Sequence, residues 1–308
     1  VHVPEAKPAK AAKPAKAAKT VKTKEAAKTA QPAGAATPAK AAKTSPTANI
    51  RVGIGGWTYA PWRGPFYPGD LTQSRELEYA SRHLTSIEIN GTFYGLQKPS
   101  SYEKWYQETP DDFVFSLKAP RYATNRKVLA DASETIERFF ASGVLLLKQK
   151  LGPINWQFAT TKKFDPEDFE AFLKLLPPSI EGQSLRHAIE VRNESFKTPE
   201  FIALARRYQV AVVLAGDSDY PQIADLTAPF VYARIMGTTD KHAKGYATKT
   251  LDAWAERARR LAAGTTPDDL ETSAEPPSKL AARDVYLYVI SGFKERNPAA
   301  AMALIERL

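Results

Sequence analysis

The stretch Ser86-Ile87-Glu88-Ile89-Asn90-Gly91-Thr92-Phe93-Tyr94 sets a polar side chain at every second position of a short apolar run. Side chains alternate across a strand, so Glu88 and Asn90 share one face and Ile87 and Ile89 the other. A charge in a buried strand costs several kcal/mol unless it is paired. Its placement here points to a polar interior shared with other strands. Seven further short apolar runs lie at 50–57, 114–120, 154–159, 187–193, 210–217, 230–237 and 285–292, and several of them also carry charges. Among them they carry Lys118, Glu190 with Arg192, Asp217 and Arg234.

A helix-like stretch is expected after each run. Residues 72–84, 132–151, 166–176, 199–208, 251–263 and 298–308 place apolar side chains at helical spacing, and Asp165 is suited to cap the third of these. Eight strand–helix units predict a (β/α)8 TIM barrel, an α/β fold whose reactive groups gather at the C-terminal mouth of the strands. An open doubly wound sheet would normally show a glycine-rich phosphate loop after its first strand. Gly53-Ile54-Gly55-Gly56-Trp57 lacks that spacing. Residues 264–283, rich in Thr, Pro, Asp, Glu and Ser, read as a mobile loop on the opposite face, without a part in the chemistry.

Charge divides the chain at residue 49. Ten of its 43 Lys and Arg residues and two of its 34 acids fall in residues 1–49, giving that segment +8 of the net +9. Residues 50–308 therefore carry 33 bases against 32 acids. The first segment is an Ala/Lys/Pro-rich tract with nothing large to bury, so residues 1–49 are expected to be a disordered basic tail and residues 50–308 the barrel. The tail composition is similar to that of linker-histone tails, and nonspecific nucleic acid is its expected partner.

Zero cysteines exclude a disulfide framework, a thiolate metal site and a cysteine nucleophile. The four histidines are scattered, without metal-ligand spacing. No apolar stretch approaches the roughly 20 residues of a membrane span, and lysines interrupt any signal-like core near the N-terminus. The expectation is a cytoplasmic protein with no membrane partner, nucleoid-associated if the tail engages DNA.

Alternation also nominates the site. Glu190 and Arg192 oppose Ile189 and Val191, Ser116 and Lys118 flank Leu117, and Tyr232 and Arg234 oppose Ala233 and Ile235. Glu88, Asn90, Lys118, Glu190, Arg192, Asp217 and Arg234 are thus expected to converge on one cavity. Glu88, Glu190 and Asp217 are the candidate catalytic carboxylates, one of them with a raised pKa as acid or base. Asn90, Lys118, Arg192 and Arg234 would hold a small anionic ligand. Trp57, Tyr59 and Tyr94, in the loops after the first two strands, would line the mouth and stack on a ring. The same charges also read as a self-neutralising ion-pair network. Three carboxylates could hold Mg²⁺ or Mn²⁺, although the spacing specifies no metal. A Schiff-base role for Lys118 is weaker on this reading, because nearby acids should raise its pKa and keep it protonated. His83 and His187 read as structural.

The chain resembles the DUF72 (YecE-like) family, TIM barrels without an established reaction. The likeness rests on Gly55-Gly56-Trp57-Thr58-Tyr59 with Trp62 and Phe66-Tyr67-Pro68, and on Glu88-Ile89-Asn90-Gly91-Thr92-Phe93-Tyr94. Trp105, Thr109-Pro110 and Phe113-Val114-Phe115-Ser116-Leu117-Lys118-Ala119 follow. Then come Gln157-Phe158, Glu190-Val191-Arg192, Asp217, Tyr232-Ala233-Arg234-Ile235-Met236-Gly237 and Tyr246. The resemblance adds Tyr246 to the substrate-binding candidates. Two departures are Thr124-Asn125, where the family usually has Thr-His, and Ile290-Ser291, where it often has paired Asn residues. The functional expectation is a hydrolase-type enzyme acting at the mouth on a phosphorylated or otherwise anionic substrate, nucleic acid included. The rival is a non-catalytic polyanion-binding protein whose tail carries the affinity.

Overall fold

The computed structural model describes residues 48–277 and 281–308. The expected disordered tail lies outside the described residues except for Ala48 and Asn49. Eight parallel strands form the barrel. They are β1 (Ile50–Gly55), β2 (Ser86–Ile89), β3 (Val114–Lys118), β4 (Leu151–Gln157) and β5 (His187–Glu190), then β6 in two pieces (Ala211–Val212 and Leu214–Gly216), β7 (Phe230–Ile235) and β8 (Asp284–Val289). The register runs Ile50 opposite Val285 and Ile54 opposite Val289, so first and last strands pair. The ring is completed at β6. Its first piece pairs with β5, its second with β7, and Val213 N between them donates to Ile189 O at 2.9 Å.

The outer layer is α1 (Glu76–His83), α2 (Pro99–Glu108), α3 (Ser133–Ala141), α4 (Pro166–Leu175), α5 (Pro199–Arg207), α6 (Thr248–Ala262) and α7 (Asn297–Ile305). Asp165 caps α4 as expected, accepting from the Glu167 and Asp168 amides at 3.1 Å. The expected long helix at 132–151 is shorter, because the chain turns left-handed at Gly143 and continues as a 3-10 segment, Val144–Lys150.

One expectation fails outright: no helix follows β6. Residues 217–229 hold Pro221 and Pro229 among short polar side chains, a composition that breaks helices. The segment expected to be a mobile loop packs there instead, at least over its described residues 264–277. Glu271 O accepts from Ala224 N at 2.8 Å, and the Asp225 carboxylate accepts from Ser273 N and Ala274 N at 2.8 and 3.0 Å. Leu270, Ile223 and Leu226 are buried in the same apolar cluster, which gives β6 the cover a helix provides elsewhere.

Alternation separates two cores. Val52, Ile87, Ile89, Leu117, Ile154, Ile189, Val231 and Leu287 face the helices in the main cluster. Val114, Ala188, Val213, Tyr232, Tyr286 and Tyr288 fill the barrel interior in a second. The tyrosine hydroxyls need partners there, and they find them in Ser116 and Ser86: Ser116 Oγ meets Tyr232 Oη, and Ser86 Oγ meets Tyr288 Oη, each at 2.8 Å. Gly53 makes this packing feasible, since a Cβ on it would lie 2.0 Å from Ser86 O and 3.3 Å from the Tyr288 ring. The tyrosines support the charged residues of the site.

Candidate functional site

Five of the seven expected residues form one connected network. Arg234 lies at its centre, 5% exposed, with Nη1 donating to both Glu190 oxygens at 2.6 and 2.8 Å and Nη2 donating to Glu88 Oε1 at 3.1 Å. Tyr232 Oη donates to Glu88 Oε2 at 2.6 Å. Glu190 also accepts from Arg192 Nε and Nη2 at 2.9 and 2.6 Å and from Asn155 Nδ2 at 2.9 Å. Both glutamates are fully buried, and nearly every lone pair in view has a donor.

The surroundings of Glu190 run against the raised pKa expected from the sequence. Burial alone would push its carboxyl up, but Arg234, Arg192 and Lys118, together with the Asn155 hydrogen bond, outweigh that and hold it at about 2. Glu190 stays ionised and anchors the two arginines. Arg234 is correspondingly held protonated, its burial more than offset by Glu190 and Glu88.

Lys118 is the opposite case. It is 7% exposed, and among the described residues it makes no ion pair. Its Nζ donates to Gln157 Oε1 at 2.6 Å and lies 4.3 Å from the centre of the Phe93 ring. Burial and the neighbouring Arg234 lower its pKa to about 8, with Arg192 adding to the effect; Glu88 and Glu190 offset only part of it. The shift is opposite to the one expected from the sequence, because desolvation and the arginines that already occupy the acids outweigh the acids themselves.

Gln157 joins these groups. Its Oε1 accepts from Lys118 Nζ at 2.6 Å and Arg192 Nη2 at 2.9 Å, and approaches Arg234 Nη1 at 3.5 Å. All three neighbours are donors, so the amide must present oxygen to them. Arg192 is further steadied by Tyr220, whose ring centre is 4.2 Å from the guanidinium carbon and whose hydroxyl accepts from Nη1 at 3.2 Å.

The remaining candidates lie apart from this network. Asp217 is exposed at the end of β6 in a left-handed conformation (φ 52°). Its carboxylate accepts from Trp254 Nε1 at 2.7 Å and is hydrogen-bonded to the Tyr246 hydroxyl, which also accepts from Gly237 N at 2.8 Å. The expected trio of Glu88, Glu190 and Asp217 is therefore not assembled. Among the described residues no group of three or more His, Asp or Glu side chains is placed to hold a metal ion, and Arg234 occupies the two glutamates that Mg²⁺ or Mn²⁺ would need. Tyr246 is buried, and its hydroxyl links Gly237, just past β7, to Asp217. Asp217 does border a cavity of about 520 Å³ with Tyr220, Met236 and Ser291.

Asn90 and Trp57 line a different cavity of about 330 Å³, with Gln97, Trp105 and Lys294. Trp57 packs edge-on against Trp105 at 5.5 Å. Tyr59 packs edge-on against Trp62, under Lys294 Nζ at 4.2 Å. Tyr94 is 65% exposed beside the β3 loop, with Arg121 5.8 Å from its ring. His187 is structural as expected: Nδ1 accepts from Trp156 Nε1 at 3.1 Å, Nε2 meets Pro177 O at 2.8 Å, and burial lowers its pKa to about 4.

A family model described as "Protein of unknown function DUF72" matches residues 51–308. The chain belongs to the DUF72 family. Among curated relatives it is 27% identical over 190 residues to the UPF0759 protein YunF of Bacillus subtilis (strain 168), covering 59% of this chain and 64% of that protein. It is 26% identical over 147 residues to the UPF0759 protein YecE of Escherichia coli (strain K12), covering 48% of this chain and 50% of the relative. The match thus spans between half and two thirds of those relatives' length. In fold it is similar to a DUF72 family protein from Thermotoga maritima MSB8, with a TM-score of 0.63, 21% identity and coverage of 83% of this chain and 97% of that one. A DUF72 family protein from Enterococcus faecalis V583 gives a TM-score of 0.59 at 18% identity, covering 84% and 93%.

Within this DUF72 barrel, Asn155 and Gln157 were missed as site residues. Their signal was present: they alternate with Ile154, Trp156 and Phe158 on β4 just as Glu88 does on β2. Neither carries a charge, and β4 holds no charged residue on that face to draw attention to them. At the two sequence departures, Asn125 is exposed beyond β3, whereas Ile290 is buried in the inner cluster, where a Cβ on Gly55 would meet it at 2.9 Å.

Proposed function

We propose that the mouth of this DUF72 barrel is an enzyme site for a small anionic substrate, a phosphate ester or carboxylate, held by Arg192 and Lys118. One observation carries the reading: three cationic side chains, Lys118, Arg192 and Arg234, converge on the single neutral oxygen of Gln157. Three cations face two glutamates there, so the cluster retains a formal positive charge that an amide oxygen cannot balance. An anionic oxygen displacing or joining Gln157 Oε1 would gain charge-assisted hydrogen bonds already aimed at it. Arg234 and the glutamates form the support beneath. If the reaction is hydrolysis, Lys118 is the group to take the proton from water, because the glutamate oxygens are engaged by their partners.

Calorimetric titration with inorganic phosphate and with small carboxylates tests this reading. Wild-type protein should bind at least one of them, and Arg192→Met should weaken that binding by roughly 10–100-fold, the worth of one lost charge-assisted pair. Equal affinity in the two proteins would overturn it. The second reading, polyanion binding through the basic segment, is favoured by the ten lysines of residues 1–49. It concerns a different part of the chain and is compatible with the first.

A further inference from the structure

We propose that Lys118 is a nucleophilic amine that condenses with the carbonyl group of a small aldehyde or ketone whose phosphate or carboxylate is seated on Arg192. The inference rests on the anionic-substrate reading above and names its substrate class.

The geometry separates Lys118 from the other cations of the mouth. Arg234 and Arg192 are each bound to Glu190, and Arg234 also to Glu88. Among the described residues the Lys118 side chain, on the last residue of β3, has only the amide oxygen of Gln157 and the face of Phe93. A lysine used simply to neutralise the cavity would be expected to take a carboxylate; here both glutamates are oriented by arginines. The elements packed around Nζ contribute Arg234 from β7, Glu190 and Arg192 from the end of β5, Glu88 from β2 and Gln157 from β4. Desolvation and the arginines prevail in that company, and the amine is held at about 8. Both conditions that activate a lysine amine, an apolar contact and adjacent positive charge, are therefore met.

The anion seat is close by. Lys118 Nζ and Arg192 Nη2 share the same Gln157 oxygen, so they lie no farther apart than the sum of those two hydrogen bonds. A substrate carrying its anionic group on Arg192 would bring a nearby carbonyl carbon to Nζ. The unprotonated amine attacks that carbon, a C–N bond forms, and the carbonyl π pair moves to oxygen. The oxygen then leaves as water with both amine hydrogens, giving C=N in place of C=O. No oxidant or further reactant is required.

The test uses the full chain and reductive trapping. Pyridoxal 5′-phosphate and, separately, pyruvate are added with sodium borohydride, and labelled lysines are mapped by peptide mass spectrometry against the ten lysines of residues 1–49 as internal reference. Lys118 should be labelled at least about tenfold faster than those lysines near neutral pH, since far more of it is unprotonated. Its labelling rate should rise with a midpoint near pH 8, and inorganic phosphate should slow it. In Arg192→Met the phosphate protection should disappear while labelling persists. Lys118→Met, which keeps the length of the side chain, should lose the fast label without unfolding. If phosphate binds to wild type but Lys118 is labelled no faster than the reference lysines, the amine inference is overturned and the anion seat survives. Fast labelling that phosphate does not slow would support the amine and overturn the anion seat.

Discussion

Arg234 and Lys118 lie at the same depth of the same barrel, on β7 and β3, yet they have opposite surroundings. Arg234 is bound on both sides by glutamates, and a layer of hydrogen-bonded tyrosines and serines reaches Glu88 through Tyr232. Lys118 is buried almost as deeply and is given an amide and an aromatic face. Buried charge alone is therefore a poor marker of function. What distinguishes the two residues is whether a counter-charge was placed with them: the Arg234 side is closed by carboxylates, with only its Nε lacking a partner among the described residues, and the Lys118–Arg192–Gln157 edge is short of counter-charge.

The largest effect should come from breaking the closed side. Arg234→Leu leaves Glu88 without its cation and Glu190 with one fewer, buried in an apolar wall. A loss on the order of 3–5 kcal/mol is expected, measured by denaturant unfolding. A loss below about 1 kcal/mol would mean the glutamates take up protons or rearrange at little cost, and the contrast would collapse.

The two sides should also titrate with opposite consequences. Glu190 falls from an ordinary 4.5 to about 2 on folding, so its contribution is present above 4.5 and is lost as pH falls toward 2. Lys118 falls from 10.5 to about 8, so between those values the unfolded chain holds more protons than the folded one. Stability should then rise with pH across that window, while below pH 8 the protonated amine is a cost. Each contribution is on the order of 3 kcal/mol. Unfolding curves at a series of pH values should show both limbs. Glu190→Gln should flatten the acid limb, and Lys118→Met should remove the alkaline rise and leave the protein at least as stable at pH 7. A Lys118→Met variant much less stable than wild type would put Lys118 with Arg234 as a structural charge.

Much of this was legible in the sequence. Ile87, Ile89, Leu117 and Ile189 fixed which way Glu88, Lys118 and Glu190 must face, because strand periodicity is local and robust. The absent helix after β6 was half legible: Pro221 and Pro229 speak against it, but the segment that covers the strand instead, whose amides on Asp225 come from 48 and 49 residues away in the chain, could not be read from local spacing. The same limit explains Asp217: the strand end was identified correctly, but its left-handed backbone turns the carboxylate toward Trp254 and Tyr246 instead of the glutamates. For Lys118 the sign of the expected pKa shift is reversed, because which acids are already taken depends on contacts across the barrel. Sequence spacing gives the face of a strand; it does not give the partner.

The smallest effect on the barrel should come from removing residues 1–47, and it settles which positive charge an anion sees. Keeping Ala48 and Asn49 retains the bonds from Asn49 N and Nδ2 to Asp284 Oδ1 at 3.0 and 3.3 Å. The deleted segment holds ten lysines and two glutamates, nearly all the net charge of the chain. If the mouth is a local site built from Arg192 and Lys118, phosphate affinity should change by less than about twofold, because the groups that hold the anion all remain in the shortened chain. Nucleic-acid binding should behave differently, losing most of its affinity and the steep part of its salt dependence with the lysines that neutralise phosphates. Parallel titrations of the two proteins with phosphate and with duplex DNA, at two salt concentrations, separate the cases. Phosphate binding that disappears with the lysines would assign the anion to the basic segment and leave the mouth as a second structural ion-pair cluster, with Lys118 on the same footing as Arg234.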